Sequence, residues 1–300
     1  MQAINIKYNY LIYLIIVIIS LPLTNCYKSV TQTDSEAITL GTFNLSWLGD
    51  GIGDNNPRTE SDYQRIADII SQLKPDIMAL EEVENDAAML RLTKYLNGYS
   101  FIVAKTGYEQ NVAVLYNNEL NIKNLGDFND IKIESGNRGG MILQLKKGNF
   151  DFVMLVVHLK STSRYDSTDE LKAHSRKIRL QQAQIITHWA DSMLTYGKEK
   201  DIIIAGDFND SPKKTSQPTL TSLANDANLK FLTEDLKSCK FTYLDGIDHV
   251  VVSKNCLGRY IENSIRIFDI FSAYPTNEVN KISDHCPVIV KFETNSADRD

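Results

Sequence analysis

Apolar residues along the chain fall mainly into short runs, most of them closed by an acid, an amide or a histidine, a pattern of strands more than of long helices. ITLGTFNL, Ile38–Leu45, reads as a first strand, and DIMALEEV, Asp76–Val83, as another. Between them SDYQRIADIISQL, Ser61–Leu73, has helical spacing, with Ser61 as its N-cap and Lys74-Pro75 as its stop. NDAAMLRLTKYLNG predicts a second helix, with Gly98 past its end. SFIVAK, NVAVLY, GMILQLK and FDFVMLVVHL then form a run of strands with little helix among them.

The strongest helix is Ser167–Leu194, where Ser167 and Glu170 have capping-box spacing. Leu171, Ile178, Gln182, Ile185, Trp189 and Met193 fall along one stripe, and Lys172, Arg176 and Arg179 occupy a neighbouring face that reads as a solvated edge. Beyond it come the strand DIIIAG, a loop, FTYLDGIDHVVVS with Asp245-Gly246 as a hairpin turn, and SIRIFDI and PVIVKF as closing strands. Consecutive strands mixed with strand–helix units predict a mixed-sheet α/β domain. No Pro/Gly/Ser-rich linker interrupts residues 38–293, so one domain is expected there, followed by a polar tail, 294–300.

The start of the chain is different. Lys7 precedes the thirteen-residue apolar run Leu11–Leu23, which suits the core of a signal peptide and is short for a membrane span. LTNC resembles a bacterial lipobox, with Cys26 as the lipidated residue, although Asn25 stands where a small residue is usual. Residues 1–25 are therefore expected to be a lipoprotein-type signal peptide and 26–37 a flexible tether. The protein would be exported from a bacterial cell and either anchored to a membrane through Cys26 or released as a secreted or periplasmic protein.

Hydrophobic and charged contents of 43% and 23% are ordinary for a globular protein and exclude disordered and fibrous classes. Loss of residues 1–25 removes Lys7 and no acid, taking the net charge from −6 to −7. A polyanionic partner would have to be held by local cations or a bound metal. Besides Cys26 three cysteines remain, and export permits disulfides. Cys239 and Cys256 flank the expected hairpin and are the expected pair, leaving Cys286 to point into the core.

Candidate chemistry gathers at strand ends. The first strand closes on Asn44, the next on Glu81-Glu82, and VVHLKS places His158 and Lys160 on one side. IIIAGDFND sets Asp207 and Asn209 past a buried strand, while Asp248-His249 and Asp284-His285 stand at two strand starts. An acid after a strand is ordinarily a cap or a turn former, and a lone histidine in a strand is ordinarily core. Six such places in one domain, each at a strand boundary, point instead to a shared cleft. Carboxylates and amides suit a hard cation, Mg2+ or Mn2+ with Ca2+ as a further option, and phosphoester hydrolysis. Glu82 and Asp284 can supply carboxylate ligands, with Asn44 as a carbonyl ligand or a support beside them. A histidine held by a carboxylate can take a proton from water. His158, Asn209 and Lys160 can neutralise charge building on phosphorus. No CxxC, HExxH, GxSxG or GxxxxGK[ST] is present, which disfavours zinc, serine-hydrolase and P-loop readings.

The ordered set GTFNL, DIMALEEVEN, NVAVLY, VVHLKS, GDFND, GIDHVVVS and SDHCPV, spanning Gly41 to Val288, resembles the endonuclease/exonuclease/phosphatase superfamily, which includes pancreatic deoxyribonuclease and apurinic endonucleases. The resemblance implies a deoxyribonuclease I-like fold, a four-layered α/β sandwich of two packed mixed β-sheets flanked by helices. It implies Glu82 as metal ligand beside Asn44, with Asp284 associated with the metal. Glutamine is usual in that superfamily where this chain has Glu81. His158 matches the phosphate-stabilising histidine, Asp207 and Asn209 the pair that aligns the attacking water, and Asp248 the carboxylate that orients His285, the base. Outside the matched motifs, Arg138, Arg176 and Arg179 are candidates, with Lys160, for contacts to substrate phosphates, against the reading of ordinary surface residues. The motifs look most like those of secreted bacterial nucleases. The expected activity is thus metal-dependent hydrolysis of DNA or RNA by a monomer that uses no nucleotide cofactor. A phosphatase or phospholipid phosphodiesterase, of inositol phosphate or sphingomyelin type, is the alternative. A non-catalytic surface lipoprotein that only binds is the alternative of another class.

Overall fold

Strands that are apolar on both faces need cover on both sides, and the chain meets that need with two sheets. The computed structural model describes residues 36–163, 165–298 and 300; the expected signal peptide, Cys26 and the tether up to residue 35 lie outside them. In chain order the elements are β1 (Ala37–Leu48), α1 (Glu60–Leu73), β2 (Ile77–Val83), α2 (Asp86–Thr93), β3 (Tyr99–Val103), β4 (Asn111–Asn117) and β5 (Asn121–Phe128). There follow β6 (Gly140–Lys147), β7 (Phe150–His158), α3 (Asp169–Tyr196), β8 (Ile202–Asp207), α4 (Thr221–Ala224), β9 (Leu229–Phe231) and β10 (Asp248–Ser253). The last are β11 (Arg266–Ile267), α5 (Ile270–Ala273), α6 (Thr276–Ile282) and β12 (Val288–Glu293).

One six-stranded sheet has the order β11-β12-β1-β2-β4-β3 and the other β5-β6-β7-β8-β10-β9. β1 and β2 run parallel, as do β7 and β8; the other pairings are antiparallel. Inner faces meet through Ile38, Leu40, Ile77, Ala79 and Val114 on one side and Leu143, Met154, Val156, Ile203 and Val250 on the other. The outer face of the first sheet packs on α1, α2 and α6 through Phe43, Leu80, Ile66, Met89 and Ile282. That of the second packs on α3 through Leu155, Ile204, Ala183 and Ile186. This is the four-layered sandwich expected. Each fully buried aliphatic side chain in these layers contributes about 1.5–3 kcal/mol.

Local chemistry moved several boundaries. α1 is capped by Thr59, whose N–H donates to Asp62 at 2.7 Å, two residues before Ser61. α3 is capped by Thr168, which accepts from the Leu171 N–H at 3.3 Å, one residue after Ser167, whose N–H closes a turn with Tyr165. Its buried stripe is Ser175, Ile178, Arg179, Gln182, Ala183, Ile186 and Ala190, and Leu171 is exposed. β5 is a polar strand without apolar alternation, held by backbone pairing to β6. Residues 294–296 are fastened to the fold, with the Thr294 N–H donating to Glu36 and Arg259 donating to the Ser296 carbonyl.

The expected hairpin and its disulfide are not formed. Residues 238–247 make a loop closed by a lone bridge between Lys237 and Asp245, and β10 pairs with β8 and β9 instead. Cys239 is bonded to Cys286, with Cα atoms 6.3 Å apart. Cys256 is a free, buried thiol. The reason is distance: Cys256 lies beyond the far end of β10, a strand of six residues that spans about 20 Å. Cys286 thus points into the core as expected, and is a cross-link there as well.

Candidate active site

Alternation along the strands assembles the site. Inward positions 38 and 40 of β1 lead to Asn44, and 77 and 79 of β2 lead to Glu81. Positions 152, 154 and 156 of β7 lead to His158, and 203 and 205 of β8 to Asp207. On β10, Val252 and Val250 lead back to Asp248. Register brings these ends level, with Asn44 opposite Glu81, and His158 and Asp248 both opposite Asp207. The inter-sheet core thus ends in a polar layer. The close approach of β7 and β8 requires Gly206, whose φ is +148° and where a Cβ would stand 1.9 Å from the Val157 carbonyl oxygen.

His285 Nδ1–H donates to both Asp248 oxygens, at 3.0 and 2.9 Å, which turns Nε2 towards Asp207 Oδ2, 4.0 Å away. Burial opposes charge on this imidazole, but Asp248 and Asp207 outweigh it and raise His285 well above the usual histidine range. Asp207 is itself pushed up to about 7, first by burial and then by Asp248. It accepts from Asn44 Nδ2 at 3.0 Å and from the Asn209 N–H at 2.8 Å, and lies 3.3 Å from His158 Nε2. Burial, Arg138 and His285 lower His158 well below its ordinary value, so it is a neutral imidazole. Asn209 adopts φ +52°, a conformation asparagine tolerates better than most residues, and its side chain bridges Asp207 and the Leu159 carbonyl.

Glu82 breaks the alternation. Its φ of +61° coincides with a register shift between β2 and β4, so two consecutive glutamates both serve the site end. Its Oε2 accepts the Trp47 N–H at 3.1 Å, and Oε1 lies 3.5 Å from Asn44 Nδ2 and 4.0 Å from His158 Nε2. Asn44 gives its carbonyl to the Ser46 N–H, so its amide nitrogen faces the acids and it acts as their support. Glu81 is fully buried, accepts from Thr42 Oγ1 at 2.9 Å and leaves Oε2 without a partner. Burial, with Asp248 and Asp207, raises it well above the carboxylate range. A neutral carboxylic acid carries one donor and one acceptor, as a glutamine amide does. Asp207, Asp248 and His285 offer ligand atoms within 4.8 Å of one another. Several acids gathered in one cleft, Glu82, Asp207 and Asp248, fit a hard divalent ion. Asp284 stands apart at the mouth, half-exposed and 3.7 Å from Lys240.

Of the expected phosphate contacts, Arg138 faces Glu82 and Asp207 and is aimed by Gln110, which accepts from Nη1 at 2.8 Å. Lys160 is nearby, half-buried, its Nζ donating to the Ser161 carbonyl at 2.8 Å. Arg179 does not reach the site. It is 2% exposed, donates to Thr219 Oγ1 and the Lys160 carbonyl, and lies 3.8 Å from Asp210, bracing two loops. Its spacing matched both the basic face and the buried stripe, and the buried acid Asp210 decided between them. Arg176 lies beside it, half-buried. Sequence reading missed Arg58, which is buried and donates to the carbonyls of Leu45, Trp47, Lys281 and Ile282, tying the end of β1 to the segment before Asp284. It also missed Lys240, which no motif marks.

A model of the Endonuclease/Exonuclease/phosphatase family matches residues 41–285. Among solved structures, an endonuclease/exonuclease/phosphatase family protein from Bacteroides thetaiotaomicron matches with a TM-score of 0.62 at 18% identity, covering 88% of this chain and 98% of that one. Danio rerio TDP2 complexed with single strand DNA product matches at 0.61 and 14%, covering 86% and 99%. A Bacteroides thetaiotaomicron mannosyl-6-phosphatase matches at 0.58 and 18%, covering 84% and 98%. Among curated protein sequences, none matches.

Proposed function

Because the chain belongs to the endonuclease/exonuclease/phosphatase family, whose phosphoesterase fold it has, we propose that it is a metal-dependent phosphodiesterase that hydrolyses nucleic acid. The observation that carries the hydrolytic reading is the His285–Asp248 pair facing Asp207 across 4.0 Å, a gap one bridging water spans. Asp248 fixes the imidazole so that Nε2, once a bound cation offsets the acids that favour its charged form, takes the proton of that water, while Asp207 and Asn209 hold the oxygen in line. His158 and the Asn44 amide donate towards the oxygens on which charge builds, and Arg138 adds a fixed cation. A bound Mg2+ or Mn2+, held by Glu82 with Asp207, would offset the carboxylates and polarise a phosphoryl oxygen.

The choice of a diester polymer rests on cations at two sides of the reacting centre. Arg138 and Lys160 stand on the Glu82 side and Lys240 on the Asp284 side. A backbone crossing the site meets both groups, whereas a small monoester needs one. Relatives of this fold include one holding DNA product and one named for a sugar phosphate, so the chain's own residues must decide. Export, with a lipid on Cys26, belongs to the same reading and is supported by Lys7, the Leu11–Leu23 run and LTNC. Among the described residues no helix is long and apolar enough to cross a membrane.

The test offers the purified protein DNA, RNA, inositol phosphates, sugar phosphates and sphingomyelin, with Mg2+, Mn2+ or a chelator. Cleavage of DNA or RNA that stops with chelator is expected. Turnover of a monoester or a lipid with none of nucleic acid would replace this reading.

A further inference from the structure

The segment joining β9 to β10 forms part of the site's rim, and beyond the charge of Lys240 the hydrolytic reading gives it no task. It is held hard. Lys237 and Asp245 form a bridge, the Gly246 N–H donates to Leu236 at 2.9 Å, and the Ser238 N–H donates to Leu244 at 3.0 Å. The Cys239–Cys286 disulfide fastens it to the residue that follows His285. On this anchored loop Phe241, Tyr243 and Leu244 are 45%, 79% and 47% exposed. The two rings stand 6.0 Å apart, and Lys240 Nζ lies 5.6 Å from the Phe241 ring. A cavity of about 220 Å³ separates the loop from the catalytic histidine, lined by Phe241, Leu244, Ile267, Asp284, His285 and Val288 among others.

Three apolar side chains grouped on one stapled loop, beside a cavity that His285 also lines, make a contiguous patch of the kind that marks a ligand contact. Because His285 forms one wall of the cavity, the group that fills it is joined to the phosphorus at which His285 works. We propose that the loop is a stacking subsite for the nucleobase beside the scissile phosphate, with Phe241 as the platform, Tyr243 extending it and Lys240 taking the neighbouring phosphate. The subsite rests on the nuclease reading and gives it a substrate contact. A planar base offers a π face whatever its identity, which matches a platform with few directional groups. Lys240 then exchanges Asp284 for a phosphate. The disulfide is a positioning element that fixes the distance from the platform to His285.

The test uses an oligonucleotide with a single hydrolysable diester between resistant linkages, and its counterpart lacking the base beside that diester. Phe241→Ala is expected to raise KM about tenfold on the first substrate, the scale of one stacked base, with kcat within about twofold. Deleting the base should raise the wild-type KM equally, and the two changes together should cost no more than either alone. Cys239→Ser should raise KM in the same direction, while Tyr196→Ala, an exposed ring on α3, should change nothing. Additive effects, or an unchanged KM for Phe241→Ala in a protein that cleaves the oligonucleotide, overturn the subsite alone. A wild-type protein that cleaves no nucleic acid overturns the nuclease reading and the subsite with it.

Discussion

β8 has a buried aspartate at each end, and the two keep different company. Asp201, just before the strand, lies 3.5 Å from Arg259, which also faces Glu293 and Asp298 at 3.6 and 3.7 Å. Burial raises Asp201 to about 6 and Glu199 beside it to about 8. Asp207, at the other end, is raised to about 7, yet it faces two imidazoles, neutral His158 and charged His285, and its fixed partners are amides. Where a charge has only to be held, the fold supplies a guanidinium that never gives up its proton. Where a proton has to move, it supplies imidazoles. Equal burial, with different partners, separates a structural acid from a chemical one.

Four experiments would break or sharpen that contrast. The largest effect is expected from His285→Ala, which should lower kcat by about 10²–10⁴-fold while the unfolding transition stays near that of the wild type; retained hydrolysis would remove His285 from the base role. Arg259→Leu should do the reverse. Urea unfolding should show a loss of about 3–5 kcal/mol, because buried acids lose their cation, with kcat per folded molecule unchanged. A divalent ion at a hundredfold excess over its Kd should stabilise the wild type by about 2.7 kcal/mol, read as a rise in Tm. Glu82→Gln should lose that gain, and an undiminished gain would move the ion elsewhere.

The smallest effect concerns pH at the structural end. Glu199 and Asp201 have folded values above their unfolded ones, so their contribution is full below about pH 4 and is lost as pH rises through about 6 and then about 8. Glu199→Gln should therefore match the wild type near pH 4 and exceed it near pH 8. After allowance for the partial exposure of Glu199, the gain is on the order of 1 kcal/mol. Stability differing equally at both pH values would assign the proton to another group.

The fold was legible because strands buried on both faces announce themselves, and the site because polar residues at strand ends share a parity with the apolar ones before them. Asn44, His158, Asp207 and Asp248 could be read in this way. Glu82 could not be read by parity, since a left-handed backbone at one residue cancels it, and its place at the strand end with the motif suggested it instead. Arg179 was misplaced because helical spacing does not say whether a buried acid lies opposite, and Asp210 does. Cys239 was mispaired because Asp245-Gly246 is a turn signal that the structure uses in a loop. Arg58 left no signal at all, as its partners are backbone carbonyls that every residue carries.

Gly206 bears on which changes in this sequence can be inherited. His158 and Asp207 are register partners on adjacent parallel strands, so their separation follows the spacing of the sheet rather than the packing of side chains. Exchanges of one apolar residue for another in the layers behind them alter stability and leave that ruler intact. Changes of length do not. A single residue inserted into β8 would send the carboxylate to the helix side, and any side chain at 206 would pry the two strands apart. The site is thus tolerant of composition and bound by count, and solved structures at 14–18% identity share the fold.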